Sequence, residues 1–326
     1  MRIIHLTTGR TVKHLPRGTV MVLGFFDGVH KGHRALFADA KKFHASVCDG
    51  AGTWQEEAKR YHAGAGICAW TFEALPKGNG RLLTTTEEKC RLLKEAGADY
   101  VVFEDYNEVC GMRGEEFLEE RISAQFDPAG LLSGSDFRFG RDADCDVWTL
   151  ASRRGEAWCR TLNVLRDPES GEVISSSLIR RLLEEGKPAD AARLMGSRYS
   201  VTGKVVHGQG LGKKLGHPTI NQFFPADKLI PMCGAYSCLV TIGGKKYAGV
   251  CNIGCRPTVA KEKTEPTLET WLPDYKGNLY GRTVTTELVD FLRPEEKFDS
   301  PEALSAAIEK DAEAAKKSLS RLAEGV

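Results

Sequence analysis

Two histidines three residues apart, His30 and His33, end the segment Gly24-Phe-Phe-Asp-Gly-Val-His-Lys-Gly-His33. A strand ends at Phe26 and a helix begins around Lys31, so both imidazoles fall near the first helical turn on roughly one face. Imidazoles there suit phosphate oxygens, helped by unpaired backbone N–H groups and the helix dipole. Gly32, between them, lets the chain approach a phosphate closely. Without context the pair is two surface histidines after a glycine turn. The preceding strand and Gly-Phe-Phe-Asp-Gly favour the phosphate reading.

Ile174-Ser-Ser-Ser-Leu-Ile-Arg180 has a related sense. Ser176 and Ser177 open a helix over Leu178 to Gly186, and hydroxyls with free N–H groups bind phosphate. Arg180 can neutralise charge on a leaving anion. The bland alternative is a serine N-cap. A glycine-rich stretch, Val206-His-Gly-Gln-Gly-Leu-Gly-Lys-Lys-Leu-Gly216, fits neither familiar phosphate motif. A P-loop needs Ser or Thr after its lysine, and a dinucleotide fingerprint needs GxGxxG opening a helix, whereas Gly208, Gly210 and Gly212 alternate. Alone, it is a loop over an anion or simply a loop.

The elements that must carry these residues change rhythm near residue 190. Before it, strand-like and helix-like runs alternate: Thr19 to Phe26, Gly66 to Phe72 and Ala98 to Phe103 as strands, and Lys31 to Phe43, Thr86 to Gly97 and Gly114 to Phe126 as helices. That alternation predicts βαβ units and a parallel sheet, an α/β Rossmann-like domain over 1–190. After it come short β-like runs: Tyr199 to His207, Gly234 to Ile242, Lys246 to Ile253, Thr267 to Leu272 and Arg282 to Phe291. A Gly243-Gly244 hairpin joins two of them. They predict a small β-barrel over 191–326. Ser300-Pro301 then opens a closing helix with Leu304, Ile308 and Ala312 on its apolar face. Asp49 to Gly64 reads as a helical or loop insertion.

The chain has 326 residues, with 45 Lys plus Arg against 44 Asp plus Glu, a balance that argues against a nucleic-acid binder and gives no reason to expect an acidic membrane surface. No apolar run has the length of a membrane span and no signal-peptide core follows Met1, so a cytoplasmic location is expected. None of the ten cysteines forms CxxC, and they are expected to be small buried hydrophobes in a reducing compartment.

The segment Gly24 to His33 resembles the HxGH signature of nucleotidylyltransferases. More closely, it resembles the adenylyltransferase half of prokaryotic bifunctional riboflavin kinase/FAD synthetases. Leu83-Thr-Thr-Thr-Glu-Glu-Lys89, Gly134-Ser-Asp-Phe-Arg-Phe-Gly140 and Ile174 to Arg180 are similar to further motifs of that half. Gly216-His-Pro-Thr-Ile-Asn221 is similar to the GxPTAN motif of the kinase half. Gly234-Ala-Tyr236, Gly249-Val-Cys-Asn-Ile-Gly-Cys-Arg-Pro-Thr258, Leu268-Glu-Thr-Trp-Leu272, Leu279-Tyr-Gly281 and Phe291-Leu-Arg-Pro294 continue the match.

The resemblance implies two ATP-using sites, one phosphorylating riboflavin to FMN and one adenylylating FMN to FAD with release of pyrophosphate. In the first domain it implies His30 and His33 as catalytic residues, with Gly24, Phe25, Asp27, Gly32, Ser176, Ser177 and Arg180 near the nucleotide. Asp136, Phe137, Phe139 and Arg256 would lie near flavin, with one or both phenylalanines alternatively core residues. In the second it implies Glu269 as the base, Gly210, Lys214 and Pro218 near the nucleotide, and Thr219 and Asn221 as ligands of Mg²⁺ carried with ATP. Hydroxyl and amide oxygens suit that hard cation.

The chain departs from the family pattern in six places, two of them a longer insertion at Asp49 to Gly64 and Ser177 in place of a threonine. No Pro-His-Pro histidine follows the strand at Thr71-Phe-Glu-Ala-Leu-Pro76, His217 and Ile220 replace the usual Phe and Ala, and Trp271 replaces a histidine. These departures leave open an enzyme with one decayed site, or a flavin-binding regulator on the same scaffold. Oligomeric state is not legible.

Overall fold

The computed structural model describes residues 1–6, 15–49, 64–73, 81–146, 149, 158–208, 210, 212, 215–254 and 266–323. The chain forms two compact units, Met1–Ser176 and Ser177–Val326.

In the first unit the strands are β1 (Arg2–His5), β2 (Val20–Leu23), β3 (Ile67–Phe72), β4 (Tyr100–Glu104), β5 (Gly130–Gly134), the short pair β6 (Arg138–Phe139) and β7 (Cys145–Asp146), and β8 (Cys159–Leu162). Six of them make one parallel sheet in the order β1-β4-β3-β2-β5-β8. Both faces are covered, which is why β2 reads Val-Met-Val-Leu with no polar alternation and every residue buried. Met21 and Leu23 pack with Trp70, Phe117 and Ile122 on one side. Val20 and Val22 pack with Phe37, Phe43 and Leu93 on the other. Phe37 and Phe43 come from helix α1 (Lys31–Asp49), and Leu93 from α2 (Thr86–Ala96).

Strand order reverses beside β2: β3 and β4 run off one way, β5 and β8 the other. Ligands of open α/β sheets bind in the crevice at the carboxyl ends of strands flanking such a reversal. There the chain places Gly24 to His33, after β2, and Ser135 to Gly140, after β5.

In the second unit, helices α3 (Ser176–Glu184, its first residue belonging to the first unit) and α4 (Pro188–Met195) lead into an antiparallel sheet. Its strands are β9 (Ser200–Lys204), β10 (Thr219–Phe223), β11 (Gly234–Ile242), β12 (Lys245–Gly254), β13 (Thr267–Trp271) and β14 (Thr283–Pro294), in the order β10-β13-β12-β11-β14-β9. Gln222 draws the two edges together: its buried side-chain Nε2 donates to Gly203 O on β9 and to Val284 O on β14, while Thr286 donates to its Oε1. The result is a near-closed barrel. Gly243 and Gly244, at φ 56° and 83°, make the β11–β12 hairpin with the left-handed backbone such a turn requires.

The closing helix α5 (Pro301–Ala323) lies on β11, β12 and β14. Its most buried residues are Asp311, Ala315 and Ser318, and not the Leu304–Ile308–Ala312 stripe the pattern suggests. Asp311 takes a forked pair of hydrogen bonds from Arg293 on β14 at 2.9 to 3.2 Å. Ser318 donates to Asp290 at 2.7 Å and meets Ser237 on β11. Paired polar groups are what allow a helix to bury them.

Among the described residues Cys68, Cys90, Cys110, Cys145, Cys159, Cys238 and Cys251 form no disulfide; all but Cys110 are buried, whereas Cys233, half-buried before β11, is disulfide-bonded against the expectation of small buried hydrophobes. No described helix is long and apolar enough to cross a membrane.

Candidate active sites

The turn after β2 departs from regular structure at once. Phe26 has φ 53°, Gly28 78° and Val29 41°, all left-handed. For non-glycine residues such conformations cost about 1–3 kcal/mol each and persist only where surroundings impose them. Three fixings do so. The Asp27 carboxylate is fully buried and accepts from Leu83 N at 2.9 Å, Thr84 N at 3.2 Å and the Thr84 hydroxyl at 3.3 Å. Ser176 donates its hydroxyl to the Asp27 carbonyl at 2.9 Å. Lys89, equally buried, donates to the carbonyls of Phe25 and Phe72 at 3.0 and 2.8 Å and lies over the Phe25 ring. Burial pulls the Lys89 ammonium down to about 8, opposed by the nearby Asp27 charge.

The turn delivers His30 and His33 as a stacked pair, ring centroids 3.6 Å apart and planes 19° apart. Gly32 makes room for this: a Cβ there would lie 3.1 Å from the His30 ring. His33 N–H points at His30 Nδ1 at 3.4 Å, so Nδ1 is the acceptor nitrogen and Nε2 carries the proton of a neutral ring. Burial lowers His30 to about 4. His33 is pushed well below the ordinary histidine value by burial first, then by His30 and Lys89. Near neutral pH the pair therefore consists of two uncharged imidazoles, which offer hydrogen bonds and not cationic charge to whatever sits before them. The pair stands at the start of α1, where backbone N–H groups of a helix can meet an anion.

In the second unit the register of three strands assembles a different site. Asn221 on β10 stands opposite Glu269 on β13, and Thr219 opposite Trp271. Leu268 and Thr270 point into the barrel and are fully buried, so Glu269 is on the outer face, where it is exposed. Packing around it still holds its carboxyl above the ordinary glutamate value, by desolvation. The glycine-rich loop lies directly on this row: a Cβ at Gly208 would fall 2.5 Å from the Asn221 amide, and one at Gly212 2.5 Å from the His217 carbonyl. Gly208 and Gly212 thus serve close approach, which neither familiar phosphate motif demands, whereas Gly210 meets nothing within 4 Å and supplies a left-handed backbone, φ 71°. His217 is buried, packs edge-on against Trp271 at 4.5 Å and shares a hydrogen bond with Ser305 of α5 at 3.2 Å. Two of the departures from the family pattern, His217 and Trp271, are therefore in contact.

One unit carries a stacked histidine pair at a sheet reversal, and the other carries a carboxylate on the strand beside an amide and a hydroxyl. A family model described as FAD synthetase matches residues 12–178, and one described as Riboflavin kinase matches 195–319. The chain belongs to the bifunctional riboflavin kinase/FMN adenylyltransferase family. The enzyme of that name from Bacillus subtilis (strain 168) is 30% identical over 99% of this chain and 99% of its own length. That from Escherichia coli (strain K12) is 33% identical over 90% of each. A crystal structure titled Macrolide-efflux Protein from Streptococcus pneumoniae shares the fold at a TM-score of 0.82, with 25% identity over 97% of this chain and 99% of that one. This protein accordingly phosphorylates riboflavin to FMN and adenylylates FMN to FAD, with ATP as co-substrate of both reactions.

In the adenylyltransferase unit Phe139 is buried in the core against Phe117, Phe137 stacks on it half-buried, and Asp136 is exposed. In the kinase unit Gly210 has φ 71° and Pro218 is exposed. Lys214, Arg256 and most of the 49–64 insertion lie outside the described residues, as does the segment after Glu73 that lacks the family's histidine. Sequence reading missed the role of Lys89, whose signal was available: a lysine at the i and i+3 spacing of Leu92 on the buried face of α2. It missed Ser305 as well, which no local pattern marks, and the grip of Thr84 on Asp27, although Thr84 lies in the quoted Leu83 to Lys89 motif.

Proposed function

We propose that His30 and His33 carry adenylyl transfer and Glu269 carries riboflavin phosphorylation, within domains running 1–190 and 191–326. The FMN phosphate attacks the ATP α-phosphate in line, and pyrophosphate leaves. Catalysis there is positioning and electrostatics, with two neutral imidazoles and the α1 N–H groups donating to phosphate oxygens. Asp27 acts from behind, holding the turn, as do Phe25 and Gly24. Ser177 and Arg180, which follow Ser176 on α3, are assigned to the nucleotide phosphates.

In the kinase half, Glu269 takes the proton of the ribityl 5′-hydroxyl as that oxygen attacks the γ-phosphate. Thr219 and Asn221 offer a hydroxyl and an amide carbonyl, neutral hard donors that fit Mg²⁺ arriving with ATP. Bound there, the ion would offset phosphate charge. We place the enzyme in the cytoplasm, where its ATP is.

The observation that carries this reading is the register setting Asn221 opposite Glu269. Thr219→Ala tests it. The Mg²⁺ concentration for half-maximal FMN formation is expected to rise by about tenfold or more, as loss of a metal contact does. FAD formation from supplied FMN should keep its wild-type Mg²⁺ dependence. Titration of both reactions with Mg²⁺, read by chromatography, decides. An equal shift in both, or none, removes Thr219 from the metal site.

A further inference from the structure

We propose that Asn252 is a third polar residue of the kinase site and positions the alcohol end of riboflavin against Glu269. The inference rests on the assignment of Glu269 above. β13 lies between β10 and β12, and Glu269 is opposed on one side by Asn221 and on the other by Asn252. Residues directly opposed on antiparallel strands stand on one face with Cβ atoms about 4.5–5.5 Å apart. Burial says which face. Gln222, Leu268, Thr270, Cys251 and Ile253 are sealed inside the barrel, whereas Glu269 is exposed and Asn252 half-buried. Asn221, Glu269 and Asn252 thus form a row across the outer face, with the base in the middle.

The two ends of the row are unlike. On the Asn221 side the glycine-rich loop presses on the amide, with a Gly208 Cβ position only 2.5 Å away. That end belongs to the nucleotide motif. On the other side Asn252 follows Val250 and precedes Gly254 on the same face, so it is the one polar side chain of the three. Gly254 leaves room beside it: a Cβ there would meet nothing nearer than Thr267 Oγ1 at 3.6 Å. Among the described residues the Asn252 carboxamide has no hydrogen-bond partner. A phosphoryl acceptor has to reach Glu269 from the side the nucleotide does not fill. A carboxamide, which both donates and accepts, is matched to the hydroxyls of a polyol chain.

The test uses the full chain and two variants. Asn252→Ala is expected to raise KM for riboflavin about tenfold, the loss of a hydrogen-bonding partner in the site. KM for MgATP and FAD formation from supplied FMN should stay at wild-type values. Asn252→Asp keeps the shape and places a second carboxylate beside the base. It should move the acid limb of the FMN-forming pH profile to higher pH, because like charge disfavours ionisation of Glu269. Among the described residues the other strand neighbours on the face of Glu269 are Thr219, Asn221 and Phe223 from β10, Val250 and Gly254 from β12, and Thr267 and Trp271 on its own strand, none titratable. Glu295, whose carboxylate lies 3.9 Å from the Gly254 Cβ position, is present in every variant. An unmoved riboflavin KM, an equal rise in both KM values, or an unmoved acid limb overturns the inference while leaving the kinase reading intact. Absence of FMN from the wild-type chain overturns both.

Discussion

Glu269→Gln is expected to lower FMN formation from riboflavin and MgATP by about 10²–10⁴-fold, the usual contribution of a general base. FAD formation from supplied FMN should be unaffected. The substitution keeps shape and hydrogen-bonding reach, so the loss isolates the proton-accepting role. It is also mild for the fold, because Glu269 is exposed on the outer face while its neighbours Leu268 and Thr270 fill the barrel. The pH profile provides the second arm. A base works deprotonated, so FMN formation falls as pH drops through its pKa. Desolvation holds the Glu269 carboxyl above the ordinary glutamate value, so that fall begins at a higher pH than an exposed glutamate would give. In the glutamine variant the residual activity should lose this acid limb. Chromatographic rates across pH for both proteins decide. Residual activity near the wild-type rate, or an unchanged limb, would remove Glu269 as the base.

Features set by neighbours in sequence were legible. Helix α2 was read as Thr86 to Gly97, and it is held at one end by a Thr85–Glu88 capping box and stopped by Gly97 at φ 106°. Features set by distant partners were not. The strand read as Thr19 to Phe26 ends at Leu23, because Asp27 is gripped by Leu83 and Thr84 on another part of the chain and bends the backbone. The spacing that puts Leu304 and Ile308 on one face of the closing helix also puts Asp311 and Ser318 there, but it does not say what lets those polar groups be buried. Their partners Arg293, Asp290 and Ser237 lie on strands that only the barrel brings near. The catalytic motifs were legible as strings, but what the strings mean is register. Asn252 is an unremarkable strand residue until β12 is laid beside β13.

The same dependence on distant partners explains why one domain can lose its chemistry without the other. Phe26 and Val29 are held in left-handed backbone by groups of the first unit, from Lys89 to Ser176. Glu269 and Asn221 are held by strand pairing in the second. The network around His30 and the network around Glu269 share no described residue. A change in either should be read out in one reaction only.

His33→Ala makes the converse case. FAD formation from FMN and ATP is expected to fall by about 10²–10³-fold, the cost of removing one preorganised donor to developing phosphate charge. FMN formation should persist. Ring stacking at 3.6 Å means the substitution also loosens His30, so His33→Asn, which restores an N–H donor, should recover part of the rate. The pH dependence separates neutral donors from cations. Were the pair cationic, adenylyl transfer would decline as pH rose through an ordinary histidine value near 6.5. With His30 lowered to about 4 and His33 also well below its ordinary value, both rings stay neutral through that range. The wild-type rate should therefore show no histidine limb between about pH 5 and 8, since protonation begins only near the lowered value. The sign for stability follows from the same shift. The unfolded chain takes up protons at these histidines below about 6.5 while the folded unit does not, so the adenylyltransferase unit loses stability as pH falls from there towards 4. Rates and thermal unfolding followed together down the same pH series test both. A rate that declined across pH 6.5 would show charged imidazoles and defeat the neutral-donor mechanism.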